Sequence, residues 1–135
     1  MVGLAVLAHA PLASALVSCA GHVVGHSPDV LALDVMPGDC VQDCAARVAT
    51  ELRQANRGDG ILVMTDLPGA SPCNIAASAA QILKEQGIAV VVLGGASASM
   101  LIKAINYRHL SLPELALKAQ AGALQSITRI DSHHA

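Results

Sequence analysis

The segment Ile61-Leu-Val-Met-Thr-Asp66-Leu-Pro-Gly-Ala-Ser71-Pro-Cys-Asn74 decides the fold. Its apolar first half is typical of a strand that is buried on both faces, as in a parallel sheet. Asp66 comes directly after this run, so the strand carries a carboxylate to its carboxyl end. Ser71 then predicts a helix N-cap and Pro72 the first helical position, where its fixed φ suits the helix. The free N–H groups of such a helix start favour an anion.

The chain before and after this segment repeats the same alternation of strand and helix. The hydrophobic pattern predicts strands over Val2–Ala8, Val30–Val35, Ile61–Thr65 and Ile88–Leu93. The first strand leads into His9, as the third leads into Asp66. Helical periodicity follows each strand, with helices predicted to begin at Pro11, Asp39, Pro72 and close to Met100.

The end of the chain predicts one more helix and a possible fifth strand. Ser111-Leu-Pro-Glu114 is a capping-box pattern, as is Asp39 with Gln42 earlier in the chain. Gly122 is the expected C′ residue of the last helix. The run Leu124–Ile130 is apolar enough for an extra edge strand, although its alternation is poor.

Alternating strands and helices with solidly apolar strands predict an α/β fold: a doubly wound, mainly parallel sheet with helices on both faces. In the strand order 2-1-3-4, strands 1 and 3 are neighbours at the topological switch point, and ligands bind beyond their carboxyl ends. His9 and Asp66 stand at those two ends. We therefore expect them to meet there, although they are far apart in sequence.

Composition limits the possible functions. The 135 residues have a net charge of −2 and no basic block, so nucleic acid is not an expected partner. Four irregularly spaced cysteines favour a reducing cytoplasm over a disulfide scaffold. Residues 2–28 contain no charged side chain, but no Lys or Arg precedes them and polar residues interrupt them, which disfavours a signal peptide or membrane anchor. We expect one domain over residues 1–130 and a tail over 131–135.

His9 is a candidate nucleophile for phosphoryl transfer. A neutral imidazole attacks through one ring nitrogen when the other carries the proton, and a carboxylate such as Asp66 fixes that tautomer. Gly69, Ala70 and Ser71 are candidate phosphate-binding residues, because small residues let backbone N–H groups approach a phosphoryl group. This chemistry needs no metal or cofactor, and we expect neither. Each residue also has a structural explanation, as a surface histidine or a carboxylate that caps a turn.

Other candidates are weaker. Cys40 and Cys44 share a helix face, but small buried thiols explain them better than a metal site. His22 and His26 suit a helix C-terminus. Gly94-Gly95 lacks the dinucleotide-binding fingerprint, and the sequence has no phosphate-binding P-loop motif.

The chain resembles the IIA domain of the mannose-family sugar phosphotransferase system (PTS). The resemblance runs along nearly the whole chain, and the segment Thr65-Asp-Leu-x-Gly-x-Ser-Pro-x-Asn74 is its most specific motif. Val2–His9, Pro37-Gly-Asp39, Met100-Leu101 and Asn106-Tyr-Arg108 also match. The chain departs from the family pattern at Ala10, Pro68 and Ser97–Ser99.

The resemblance implies a cytoplasmic phosphotransferase that works through a phosphohistidine. His9 would accept a phosphoryl group from the phosphocarrier protein HPr and pass it to a IIB component. Asp66 would orient the ring and Ser71 would contact the phosphoryl group. Family members can be homodimers that exchange a C-terminal strand. Three alternatives stay open: a regulatory protein controlled by His9 phosphorylation, the phosphotransferase subunit of a dihydroxyacetone kinase, and a small-molecule enzyme with His9 as general base.

Overall fold

A computed structural model of the chain describes residues 1–131. Within them, four parallel strands form one sheet in the order β2-β1-β3-β4. The strands are β1 (Gly3–His9), β2 (Leu31–Val35), β3 (Ile61–Thr65) and β4 (Val90–Leu93). This confirms the predicted doubly wound fold and its strand order. Since all four strands run the same way, their carboxyl ends share one edge. We call this the carboxyl edge; it comprises residues 9–14, 34–43, 66–74 and 94–99.

In the same residues, five helices cover the two faces of the sheet: α1 (Leu12–Val24), α2 (Val41–Ala55), α3 (Ser71–Glu85), α4 (Ala98–Tyr107) and α5 (Leu112–Ser126). Helices α1, α4 and α5 pack on one face, and α2 and α3 pack on the other. Side chains alternate along β1, so that Val6 and Ala8 face the first group and Ala5 and Leu7 the second. A one-residue slip of β1 would exchange these two sets, and the two aliphatic cores therefore hold the register.

The end of the chain differs from the prediction. Helix α5 continues to Ser126, and residues 127–131 contain no strand, so Leu124–Ser126 are helical rather than extended. Gly122 lies inside α5, not after it. A Cβ on Gly122 would stand 2.8 Å from Lys103 Cε, so this glycine allows α5 to approach α4. Most of the expected tail, including His133 and His134, lies outside the described residues.

Two helix starts also differ from the prediction. Cys40, not Asp39, is the N-cap of α2, because Asp39 Oδ2 instead accepts the Met36 N–H (2.8 Å) and closes the preceding turn. Ala70, not Ser71, is the N-cap of α3, because the Leu67–Ala70 turn ends there. Ser111 is the N-cap of α5 as its sequence pattern predicts, with Ser111 Oγ accepting from the Glu114 N–H (3.4 Å).

Candidate active site

His9 is the last residue of the central strand β1, and its ring projects beyond the carboxyl edge. Register pairs it with Val35 of β2, and the next residue, Ala10, donates its N–H to Val35 O (2.9 Å). The backbone of His9 is therefore fixed by the sheet. Its side chain is 47% exposed, which leaves the ring accessible to a partner.

Asp66 follows the neighbouring strand β3, and its carboxylate binds both the ring and the backbone of His9. Asp66 Oδ2 lies 2.7 Å from His9 Nδ1 and accepts the His9 N–H at 3.0 Å. Asp66 Oδ1 accepts the Leu67 N–H (2.8 Å), and the Asp66 carbonyl accepts the Gly95 N–H (2.8 Å). The side chain is only 9% exposed. The carboxylate is therefore held from three sides and cannot turn away from the ring.

Two opposing effects set the pKa of Asp66. Burial by itself would raise that pKa, because it penalises the charged form. The hydrogen bonds from the His9 N–H, the His9 ring and the Leu67 N–H, together with the charge on His9, outweigh burial and hold the pKa of Asp66 below its ordinary value. The carboxylate is thus ionised at neutral pH and only accepts hydrogen bonds.

An ionised Asp66 defines the tautomer of His9. Because the carboxylate only accepts, the proton of a neutral ring must sit on Nδ1. Nε2 then carries the lone pair. The arrangement can supply a nucleophilic ring nitrogen with a fixed direction, and it can stabilise positive charge on the ring afterwards.

Gly69 and Ala70 lie in the turn between Asp66 and α3, and Ser71 is the first residue of α3, at the same edge of the sheet. Gly69 has a φ of +86°, which favours glycine in this turn. The Ala70 N–H donates to Leu67 O (3.1 Å) and is used by the turn. Within the described residues, the N–H groups of Gly69 and Ser71 have no acceptor. The Ser71 hydroxyl makes no cap hydrogen bond either, because Ser71 is the first helical residue.

The helix starts at this edge differ in whether a side-chain oxygen accepts a hydrogen bond from an N–H group of the first turn. At α1, Asp34 Oδ1 accepts the Ser14 N–H (3.2 Å) and Asp34 Oδ2 accepts the Ser14 hydroxyl. At α4, Ser97 Oγ accepts the Met100 N–H (3.1 Å). The start of α3 has no such side chain. The N-terminus of α3 is therefore open to an external anion, whereas α1 already has one from its own chain.

Sequence reasoning missed Asp34 and Gly95. Asp34 occupies the next-to-last position of β2, so an acid at a strand end was the available signal, as for Asp66. Gly95 acts through its backbone N–H, for which the sequence carries no signal. Of the two cysteines expected to be buried, Cys44 is buried but Cys40 is exposed, because it caps α2 at the surface. His22 lies in the last turn of α1, whereas His26 lies beyond its end.

Across residues 1–131, the structure has no helix long and apolar enough to cross a membrane.

Comparison with known proteins identifies the class of the chain. Residues 3–120 match the family described as "PTS system fructose IIA component", which is the EIIA-man family. A search of curated proteins finds no match.

Solved structures share the fold. The mannose/sorbose-specific IIA subunit of the phosphotransferase system from Enterococcus faecalis is 24% identical, with a TM-score of 0.85 over 99% of this chain and 98% of that one. The EIIA component from Streptococcus agalactiae is 24% identical, with a TM-score of 0.82 over 96% and 97%. The PTS IIA protein associated with the fucose utilization operon of Streptococcus pneumoniae is 25% identical, with a TM-score of 0.73 over 94% and 91%.

The family match covers most of the chain, and the fold agrees with it from end to end. The protein belongs to the mannose family of IIA components of the sugar phosphotransferase system.

Proposed function

We propose that this protein is a phosphocarrier that works through a phosphohistidine at His9. It would accept a phosphoryl group from phospho-HPr and pass it to a IIB component. One observation carries the proposal: His9 Nδ1 lies 2.7 Å from a buried, ionised Asp66, which leaves Nε2 as the nucleophilic nitrogen of an exposed ring.

The chemical step is a direct exchange of one P–N bond for another. His9 Nε2 attacks the phosphorus of the donor's phosphohistidine. The bond from phosphorus to the donor nitrogen breaks, and its electron pair stays on the donor ring. The His9 ring gains positive charge as its P–N bond forms, and the Nδ1 proton stays in its hydrogen bond to Asp66. Transfer to the IIB component is the same exchange with His9 as the leaving group.

The start of α3 is where we place the phosphoryl oxygens. Gly69 and Ser71 offer N–H groups, and Ser71 offers a hydroxyl, with no competing acceptor in the described structure. Ala70 contributes its small side chain, which leaves the backbone open, while its N–H maintains the turn. Donors aimed at developing charge lower the barrier without a metal.

Labelling by phospho-HPr tests the carrier function. We expect the wild-type protein to gain one phosphoryl group that is labile in acid and stable in base. A His9→Ala variant should gain none, whereas a His109→Ala variant, which changes a histidine away from the carboxyl edge, should be labelled normally. Undiminished label in His9→Ala would reject His9 as the acceptor. Turnover of a small metabolite without HPr would instead favour general-base catalysis.

Two further properties follow from the same proposal. We place the protein in the cytoplasm, where its donor would be found, and we propose that it is a homodimer. Within residues 1–131, β4 has no neighbour on its outer side. Three apolar side chains near the end of the chain are strongly exposed: Leu124 (64%), Ile127 (82%) and Ile130 (77%). A second copy that covered them would remove apolar surface from water.

Light scattering coupled to size exclusion tests the dimer. We expect twice the monomer mass for the wild-type chain and a monomer for an Ile127→Asp, Ile130→Asp variant. A Val23→Asp variant, which changes an exposed apolar residue of α1, is the control and should stay dimeric. A monomeric wild-type protein would reject this part of the proposal.

A further inference from the structure

A cavity of about 240 Å³ lies at the amino ends of β1 and β2, at the edge of the sheet opposite His9. The starts of these strands, the end of α2 and the residue that follows α4 form its walls. We call it the amino-edge cavity; it is lined by residues 3–4, 29–31, 51, 54, 55, 57 and 108. At about 30 Å³ for each water, its volume suits a molecule of roughly eight non-hydrogen atoms.

Four charged side chains line the amino-edge cavity, and only two of them pair with each other. Asp29 and Arg57 form an ion pair, and 63% and 46% of their side chains are exposed, so this pair lies at the mouth of the cavity. Arg108 and Glu51 have no oppositely charged partner at ion-pair distance within residues 1–131. One guanidinium and one carboxylate therefore line the same cavity without meeting each other.

Arg108 is the buried charge of this cavity. It is 8% exposed, and its guanidinium donates to Val2 O (3.2 and 3.1 Å) and to Asp29 O (2.8 Å). These bonds use three of its five N–H groups, and the other two have no acceptor in the described part of the chain. Burial, together with the charge of Arg57, lowers the pKa of Arg108. A carboxylate at this place would supply the full counter-charge that carbonyl groups do not.

Glu51 contributes the opposite charge from the last turns of α2. It is partly buried, and its carboxylate accepts no hydrogen bond from the described residues. An ammonium group is the natural complement of such a carboxylate. Val30, Leu31 and Ala55, all partly buried, add apolar wall to the same cavity. The cavity therefore offers one cation, one anion and a short apolar surface.

We propose that the amino-edge cavity binds a small α-amino acid with a short aliphatic side chain. The carboxylate of the amino acid pairs with Arg108 and its ammonium group pairs with Glu51, while Val30 and Leu31 contact its side chain. A zwitterion balances both unpaired charges, whereas a simple anion would leave Glu51 unpaired and would be repelled by it. The inference does not depend on the carrier function proposed for His9, which lies at the other edge of the sheet.

Titration calorimetry with L-valine tests the site, because this amino acid has the size and the two charges that the cavity requires. We expect a dissociation constant of roughly 1 mM, as is usual for so small a ligand. Isovalerate lacks the ammonium group and isobutylamine lacks the carboxylate, so each should bind at least about 10-fold more weakly. Equal binding of isovalerate would overturn the proposal, since it would show a site for simple anions.

A neutral variant tests the role of Glu51. Glu51→Gln should weaken L-valine binding by about 10-fold and leave isovalerate binding unchanged or stronger, because only the ammonium contact is lost. Glu51 has no hydrogen-bonded partner in the described residues, so we expect this variant to melt at the wild-type temperature. Glu85→Gln, the same change at a glutamate of α3 outside the cavity, is the matched control and should bind L-valine normally. Undiminished L-valine affinity in Glu51→Gln would overturn the proposal.

Amide NMR spectra locate the bound amino acid. We expect L-valine to shift the resonances of Gly3, Leu31 and Arg57 and to leave those of His9 and Asp66 in place. Shifts centred on His9 would overturn the amino-edge site, and so would unchanged spectra at about 50 mM, where a site of roughly 1 mM affinity is nearly full. Labelling of His9 by phospho-HPr is measured without L-valine, so failure of either proposal leaves the other standing.

Discussion

Strand β1 has a charged hydrogen-bonding centre at each end, and the two centres are built in opposite ways. At the carboxyl end, His9 is half exposed and binds one carboxylate. At the amino end, Arg108 is 8% exposed and binds only carbonyls: Nε and Nη2 donate to Val2 O (3.2 and 3.1 Å), and Nη1 donates to Asp29 O (2.8 Å). One centre keeps a ring nitrogen accessible, whereas the other uses its donors to join three segments of the chain.

The difference shows in how each environment treats charge. At His9, the ring nitrogen and backbone N–H groups favour the ionised Asp66 and lower its pKa despite burial. At Arg108, burial and then the charge of Arg57 lower the pKa of the guanidinium, so the fold holds that charge less favourably than water does. Polar groups at the carboxyl edge thus suit the proposed phosphotransfer, while those at the amino end maintain structure at an electrostatic cost.

The largest expected effect is a loss of stability at Arg108 that leaves phosphotransfer at His9 nearly unchanged. Arg108→Met should lower the free energy of unfolding by about 3 kcal/mol, because the buried Val2 carbonyl and the partly buried Asp29 carbonyl lose their donors. Denaturant melts measure this value. Phosphotransfer per folded molecule should change less than about 2-fold. A large fall in the phosphotransfer rate of the folded Arg108→Met variant would mean that the two ends of β1 are coupled.

The reverse pattern is expected for Asp66→Asn. The phosphotransfer rate should fall by roughly 100-fold, because a neutral amide neither fixes the tautomer of His9 nor stabilises charge on the ring. Unfolding free energy should fall by only about 1–2 kcal/mol. Single-turnover labelling with phospho-HPr measures the rate. A rate within a few-fold of wild type would contradict the role given to Asp66.

Ser71→Ala should have a smaller and purely functional effect. We expect phosphotransfer to slow by about 5-fold through the loss of one hydroxyl donor. Stability should stay within about 0.5 kcal/mol, since the hydroxyl makes no cap hydrogen bond. Asn74→Ala, which removes the side-chain bond to Gly69 O, is a structural comparison in the same turn. A loss of stability in Ser71→Ala would show that the Ser71 hydroxyl does cap α3.

The smallest expected effect is a change of the free energy of unfolding with pH in the acidic range. The pKa of Asp66 is lower in the folded chain than its ordinary value of 3.8. Its stabilising contribution is therefore fully present above pH 3.8 and is lost as pH falls through the lower folded-state pKa. The stability difference between wild type and Asp66→Asn should shrink over that range. Melts at a series of pH values test this, and a constant difference would show that the pKa of Asp66 is not lowered.

Much of the fold was predictable because its strands are short apolar runs bounded by clear turn residues. Val2–His9 and Ile61–Asp66 specify both the strands and the polar residues that follow them. Helix starts were predicted less well. Asp39 and Ser71 have the chemistry of N-caps, but Asp39 binds the Met36 N–H and the turn before α3 ends at Ala70. Local propensity could not decide whether these residues would complete the preceding turn or cap the helix, because both roles favour the same residue types.

The pairing of His9 with Asp66 in the candidate site was predictable, whereas the hydrogen bonds around this pair were not. His9 and Asp66 both follow apolar runs, which a sequence shows directly. The Gly95 N–H that holds the Asp66 carbonyl, and the pairing of Asp34 with Ser14, depend on which strand ends lie side by side. The residue type of Gly122 predicts a helix end, although this glycine serves close packing against Lys103. Glycine has both uses, and only the position of the facing helix decides between them.

The sequence by itself determined the parallel sheet, its aliphatic cores and the two residue types at the ends of β1 and β3, because burial pattern and turn chemistry are local properties. Only the tertiary structure decided that one carboxylate meets the imidazole while another occupies the start of α1. These contacts join residues 57 and 20 positions apart, and such distances close only when the whole sheet assembles in one register.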